Sequence, residues 1–488
     1  MLGLLSGCTA GVIGGHDSGH PDPTADSGTP STDAGVLVTD AGQPTIDAGT
    51  SDAGARVDAG IPTEVMPPPL PCTKTVGTGS GQVDIQQAAL SLVDDDVVCV
   101  RGGTYESINI ANITASVGHR ITIQNDGVVT FGGTSGGNAL TRVTITGTGT
   151  GATPTANGFQ FKNIAYRALQ IDGTVHSLTL QYLDFENVAD YTIYFGGDAQ
   201  VFDGTDATAL SELKVLHCRA KNFGGAFLQL TGGATGSTLT GIATGTEVAW
   251  NTLTDTPSSN YPVYLGNAFG VNVHHNVFSG LSLQLAQHNG MVFLNGDGQV
   301  HHNFFRNYLG EGIRLWPYSW GQVGRIDVFG NVFLESMKYS PVEVQAFTAD
   351  VTRNAHTHFT NVRIFNNTAG NINLQTLLPN NYTMWVAGLV DTYDFEGGTV
   401  EITNNLVFNV QMQKDNNPIV NLEGAGVPTS SHNLYFATSA QAGLVDEVSV
   451  RLATGSAAIG AGVAVSGLGL DFYGAPYPSP PDVGAVAY

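Results

Sequence analysis

VHHNVF at residues 273–278, VHHNFF at 300–305, VFGNVF at 328–333, IFNNTA at 364–369 and ITNNLVF at 402–408 are versions of one phrase. Each is a short run of β-branched and aromatic residues with an asparagine in a fixed slot: Asn276, Asn303, Asn331, Asn367 and Asn405. Successive slots lie 27, 28, 36 and 38 residues apart. A period of this size marks a repeat protein, and strands repeated without intervening helical pattern imply a parallel β-helix. Equivalent side chains of successive coils then stack about 4.8 Å apart. An amide placed in a bend bonds to the amides above and below it, which satisfies polar groups that are costly to bury. The slot continues as Asn251 in AWNTL and Asn433 in SSHNLYF, and as Cys218 in VLHCRA and Leu183 in LQYLDF, where the rung is apolar. The unequal spacings predict insertions of unequal length, which in solenoids decorate one face and build the binding site.

Composition agrees with this reading. Among 488 residues there are 63 glycines and only 12% charged side chains, as many tight turns between short strands require. A net charge of −23 argues against a nucleic-acid partner, which demands clustered Lys and Arg. No stretch approaches the roughly 20 apolar residues of a membrane-spanning helix.

Three segments follow from the N-terminus. Residues 1–8, MLGLLSGC, end in a lipobox-like LSGC with Cys8 as the lipidation candidate, although the apolar run before it is short for a secretory signal. Residues 9–71 repeat Asp-Ala-Gly and end in MPPPLP; nine acidic residues and one arginine predict a disordered, self-repelling tether. Residues 72–488 form the folded body. The expected setting is an exported envelope lipoprotein at the outer membrane or cell surface, monomeric and touching the membrane only through its lipid. Export favours a Cys72–Cys99 disulfide that pins the chain onto the first coil, worth about 3 kcal/mol in the entropic account. Cys218 reads as a buried apolar residue.

Residues 83–93, VDIQQAALSLV, place Ile85, Ala88, Ala89 and Leu92 on one helical face before the strand VVCV. A short helix covering the open end of a solenoid is expected there. The stretch IQQAALSLVDDDVVCVRGGTY resembles the N-terminal cap of bacterial right-handed parallel β-helix proteins of the pectate-lyase-like superfamily. GSAAIGAG at 455–462, LDFYGAPYP and PDVGAVAY resemble their closing coil. The resemblance implies an all-β, right-handed parallel β-helix solenoid with a short N-terminal capping helix. It constrains the fold far more than the activity. Two glycine-rich stretches, FGGTSGGN and TGGATGSTLTGIATGTE, read as excursions from the coils; neither has phosphate-loop spacing.

Unusual side chains concentrate in 310–345, GEGIRLWPYSWGQVGRIDVFGNVFLESMKYSPVEVQ. On GIRLW, alternation points Ile313 and Leu315 inward and Arg314 and Trp316 outward. Trp316 and Trp320, two of the four tryptophans and four residues apart on an expected loop, then suggest a stacking platform for sugar rings, with Tyr318 as a further substrate contact. Stacked coils should bring Arg314 within reach of side chains from 292–295 below and 342–345 above, as either a functional cation or the partner of Glu311 or Glu343. Segment 291–315, MVFLNGDGQVHHNFFRNYLGEGIRL, resembles the alginate- and chondroitin-type lyases of the same superfamily. This implies β-elimination from an acidic polysaccharide, with Arg314 in the arginine position. The lysine position falls at Asn295, an amide that cannot act as base, and Lys338 one coil later is the substitute. Asn295, Arg325 and Glu343 complete the expected substrate contacts. The alternative is a binding or structural envelope protein that cuts nothing. His274–His275 and His301–His302 read as a ladder beside the asparagines, one ring of each pair pointing in and one out, and not as a transition-metal site. No cofactor is required; Ca2+ is compatible with Glu311, Glu343 or Asp297 as oxygen donors, without an oxygen-rich loop to hold it.

Overall fold

The computed structural model describes residues 65–488 apart from 197–199, 284–288, 375–387, 412–416 and 425–427. Cys8 and the Asp-Ala-Gly repeats therefore lie outside the described residues. Among the described residues thirty-four strands join, almost wholly by parallel pairing, into one wound sheet, a parallel β-helix. Each coil runs along three faces, and in several coils one continuous strand, such as Val263–His274 or Gly290–His301, covers the first two. Ile193, Leu228, Val263, Val292, Ile313 and Val342 are successive inward rungs of the first face. Val215, Val248, Val273, Val300, Val328, Ile364 and Ile402 run up the second. On the third, Phe278, Phe305 and Phe333 stack with ring centroids 4.7 and 4.8 Å apart. Because neighbouring rungs carry similar apolar side chains, one continuous core fills the coil.

Between the second and third faces the chain turns in two residues. The first adopts a left-handed conformation (φ 54° at His275, 53° at His302, 62° at Gly330). The second is the ladder residue. Asn276 donates through Nδ2 to Asn303 Oδ1 (2.9 Å) and to the Val248 carbonyl (2.8 Å), and the Asn303 oxygen also accepts the Asn276 backbone N–H. The same bonds link Asn251, Asn303, Asn331, Asn367, Asn405 and Asn433. At the N-terminal end Cys218 replaces the amide, its backbone N–H donating to Asn251 Oδ1 at 2.9 Å. A second, exposed ladder at the end of the third face escaped the sequence reading. Asn222 donates to Asn187, Asn187 to Asn163 and Asn409 to Asn371, all at left-handed positions that asparagine tolerates.

Four expectations are corrected. The helix over 83–93 shrinks to one turn, Gln87–Leu90, because Val83 and Ile85 alternate into the core as a strand, Gln82–Gln86, paired with Ser107–Thr114. The ordered chain begins before residue 72: Leu70 exchanges backbone hydrogen bonds with the Gln124 amide (3.2 and 2.6 Å). Residues 135–138 of FGGTSGGN are no excursion but the start of the strand Ser135–Thr150, a rung of the first face. The C-terminal stretch closes no coil. Beyond the strand Leu434–Phe436 it folds back, burying Ala458, Phe472, Val483 and Val486 against Phe304, Val332, Leu406 and Phe408, which face outward on the third face. The Cys72–Cys99 disulfide is formed, with Cα atoms 5.6 Å apart, beside the pairing of Lys74–Val76 with the rung above.

Candidate functional site

On the outer side of the first face, Tyr264, Phe293, Arg314, Glu343, Asp391 and Asn421 occupy one position on six successive rungs. Alternation turns them away from the core, yet Phe293, Arg314, Glu343, Asp391 and Asn421 are buried, because they cover one another. Arg314 organises the centre. Its Nε donates to Glu343 Oε1 (2.8 Å), Nη2 to Gln345 Oε1 (2.8 Å) and Nη1 to the Tyr261 hydroxyl (2.7 Å). Trp316 Nε1 donates to the same Gln345 oxygen at 2.7 Å. Burial is the largest single influence and opposes the guanidinium charge, but Glu343, Tyr261 and Glu311 acting together hold Arg314 above its ordinary value. Burial raises Tyr261 and pushes Tyr264 up to about 12, so both phenols stay protonated donors at neutral pH. Above Glu343, Asn421 Nδ2 donates to Asp391 Oδ1 at 3.0 Å.

Half-buried Trp316 meets Phe293 (centroids 5.0 Å) and Phe347 (5.3 Å), and Phe293 stacks on Tyr264 at 4.7 Å. Asn295, beside Trp316 on the preceding rung, is buried, and among the described residues its Oδ1 has no hydrogen-bond partner. A buried carbonyl oxygen without a donor costs about 1–3 kcal/mol. This one is enclosed, so a ligand hydroxyl would reach it only after a local shift of its neighbours.

Of the remaining candidates, Tyr318, Trp320 and Arg325 do not join this centre. Trp316, Tyr318 and Trp320 share the strand Glu311–Trp320 and not a loop, but its end leaves the coil to pair antiparallel with Thr357–Phe359. Tyr318 is fully buried there with Phe202, Leu239 and Phe269, its hydroxyl donating to Asn267 Oδ1 (2.7 Å). Trp320 packs edge-on against Phe202 at 5.0 Å. The two-tryptophan platform is thus reduced to Trp316. Arg325 lies on the second face, where Asp327 takes both Arg325 (3.0 Å) and Arg363 (2.8 Å). Lys338 is buried, with Nζ 4.5 Å from the Tyr339 ring centroid; burial lowers its proton affinity and nearby Glu311 opposes the shift. Glu343 is paired with Arg314, and the Asp297 carboxylate accepts the Gly270 N–H at 2.7 Å. Among the described residues no three acidic, histidine or cysteine side chains gather as a cation site.

The histidine pairs form two outer columns. His274 stacks on His301 (5.0 Å) and His275 on His302 (5.1 Å), with Nδ1–Nδ1 contacts of 2.8 and 2.7 Å within each pair. No ring of either pair enters the core, contrary to the one-in, one-out expectation, because the left-handed turn residue points sideways.

Tyr261 and Tyr264 were missed, whereas Phe293 and Gln345 lie in the segments 292–295 and 342–345 expected within reach of Arg314, without being singled out there. A signal existed: YTIY at 191–194 and YPVY at 261–264 put Tyr194 and Tyr264 on the same column, two rungs apart, with Gln229 between.

No protein-family model matches this chain, and no curated protein does. Among solved structures it is similar to a PL6 family polysaccharide lyase from Pseudopedobacter saltans (12% identity, 73% of this chain and 92% of that one, TM-score 0.42). It is also similar to the pectate lyase Pel9A (11% identity, 84% and 97%, TM-score 0.32). A third is a capsular polysaccharide depolymerase, a tailspike protein from the Acinetobacter baumannii bacteriophage Fri1 (12% identity, 74% and 64%, TM-score 0.32). All three TM-scores lie below 0.5, and the reading of the site rests on its own side chains.

Proposed function

We propose that this protein binds a polysaccharide along the outer side of its first face, with Trp316, Asn295, Tyr261 and Tyr264 as the contacts and Arg314 holding them in place. The observation that carries this reading is the junction at Gln345. One amide oxygen receives both Arg314 and Trp316, which fixes the indole beside the unpartnered Asn295 carbonyl. A rigid aromatic edge next to a buried acceptor suits a sugar ring, which offers an apolar face and a hydroxyl together. Glu343 neutralises Arg314, so support for a strongly acidic polymer rests on little net charge. In this reading the tether and lipid anchor, proposed from residues 1–71 alone, would hold the β-helix at the cell envelope.

Affinity electrophoresis through gels holding alginate, polygalacturonate, xylan or dextran tests the proposal. At least one polymer should retard the protein, and Trp316→Ala should abolish that retardation; migration unaffected by all four would refute it. Cleavage by β-elimination is a second reading, favoured by one observation: burial lowers the proton affinity of Lys338, the direction a general base needs. It requires absorbance from unsaturated ends on alginate or polygalacturonate, lost in Lys338→Met and in Arg314→Lys.

A further inference from the structure

We infer that the first face carries a second sugar subsite, over Gly136 near the N-terminal end, distinct from the Arg314 centre. The inference rests on the polysaccharide reading above and extends it. An open groove of about 320 Å³ lies there, walled by Asn109, Asn138, Gln170 and Asp172. Its floor is low because Gly136 occupies the outward position between Asn109 and Gln170 on the column; a Cβ there would stand 3.1 Å from Asn109 Oδ1. The groove exists because one rung lacks a side chain.

Its walls are planar amides and a carboxylate already aligned. Gln170 Nε2 donates to Asp172 Oδ2 (3.0 Å), and Gln170 Oε1 accepts from Arg167 Nη1 (3.2 Å). The Arg167 guanidinium lies 3.6 Å from the Tyr194 ring centroid and 4.7 Å from that of Tyr166, with Asp190 as its counter-charge at 3.3 Å. Tyr166 is 50% exposed, and the Arg167 over its ring is the residue that bonds Gln170 in the groove wall. This setting excludes several ligands. Arg167 is neutralised and Asp172 is exposed, so a phosphate or sulfate meets net negative charge. The walls are too polar for a lipid or an apolar peptide. Paired donors and acceptors beside an aromatic ring fit the vicinal hydroxyls and C–H face of an uncharged sugar ring. From Gln170 to Arg314 the column climbs through Tyr194, Gln229, Tyr264 and Phe293, five steps of about 4.8 Å, or roughly 24 Å. One extended glycan lying along the face would reach both sites, whereas a disaccharide would reach only one.

The test uses the full chain and whichever of the four polymers retards it, together with a disaccharide and a long oligosaccharide of the same repeat. A Gln170→Ala/Asp172→Ala variant, and separately Gly136→Gln, which fills the groove from outside the core, are compared with the parent after equal thermal unfolding is confirmed. Losing two hydrogen bonds of about 0.7 kcal/mol each predicts a roughly tenfold weaker affinity for polymer and long oligosaccharide. Disaccharide binding that depends on Trp316 should be unchanged. Polymer affinity equal to the parent in both variants would overturn the subsite and leave the Arg314 reading intact. If the groove variants lose polymer while Trp316→Ala does not, the subsite stands and the Arg314 reading fails. Retardation by none of the four polymers overturns both.

Discussion

Replacing Asn303 by alanine tests the ladder where it is most completely enclosed. The Asn303 side chain is fully buried. Its Oδ1 accepts the Asn276 backbone N–H (3.0 Å) and Nδ2 (2.9 Å), while its Nδ2 donates to the carbonyls of Val273 (2.9 Å) and His301 (3.0 Å) and to Asn331 Oδ1 (3.0 Å). Truncation strands the Asn276 N–H and weakens the satisfaction of at least one carbonyl. Water cannot reach either group. Each buried group left without a partner costs about 1–3 kcal/mol, so the loss should be about 3–5 kcal/mol with the void included. Asn433 makes comparable bonds to Asn405 and the Ile402 carbonyl, but at the last rung and only half-buried. There water replaces the amide, and Asn433→Ala should cost about 1 kcal/mol. Urea unfolding followed by circular dichroism gives both values. Solenoids can unfold in segments, so amide exchange at Asn276 and Asn331 should show whether the loss is local. Equal losses for the two variants, or less than about 1 kcal/mol for Asn303→Ala, would refute the view that the interior amides act as a continuous buried network.

Two further predictions concern charge. Arg314→Met leaves the buried Glu343 carboxylate without its cation and should cost about 3–5 kcal/mol, Glu343→Met likewise, while the double variant recovers most of the loss; thermal melts that show simple additivity would count against a coupled pair. Acid should destabilise the protein through the histidine columns. Burial, with neighbouring imidazoles adding to it, depresses His275 to about 3 and His301 to about 2. An unfolded histidine gains its proton near 6.5 and a folded one far lower, so the unfolded chain binds more protons below pH 6.5. Their contribution is complete above that value and is lost as pH falls, on the order of 2 kcal/mol per ring by pH 5. His301→Phe, which continues the stack already formed by Phe329 and Phe365, should flatten the stability profile between pH 7 and 5; an unchanged slope would remove His301 from the effect.

How much of this was legible in the sequence depended on whether the information was local or lay in the register. The asparagine slot was readable because one residue type recurs beside strands of one pattern, and a local rule then dictates stacking. Outward alternation at Arg314 and Trp316 was readable for the same reason. That these outward side chains are not exposed was not readable. Glu343, 29 residues after Arg314, was named as a partner from the sequence, but Tyr261, 53 residues before it, and the junction at Gln345, 31 residues after it, were not. Only the lengths of the intervening insertions decide which residues share a rung, and those lengths follow no rule. Trp320 failed for a related reason. Periodicity cannot show where a strand quits the coil, and the last residues of Glu311–Trp320 pair with an insertion instead. The glycine stretch at 131–138 misled in the opposite direction. Glycines usually mark turns, but in a solenoid the neighbouring rungs already supply backbone partners. A rung can therefore do without side chains, and where Gly136 does so it leaves a groove between Asn109 and Gln170. In a repeat fold the exceptions to the repeat are thus the places to look for function, because a regular rung has spent its side chains on its neighbours.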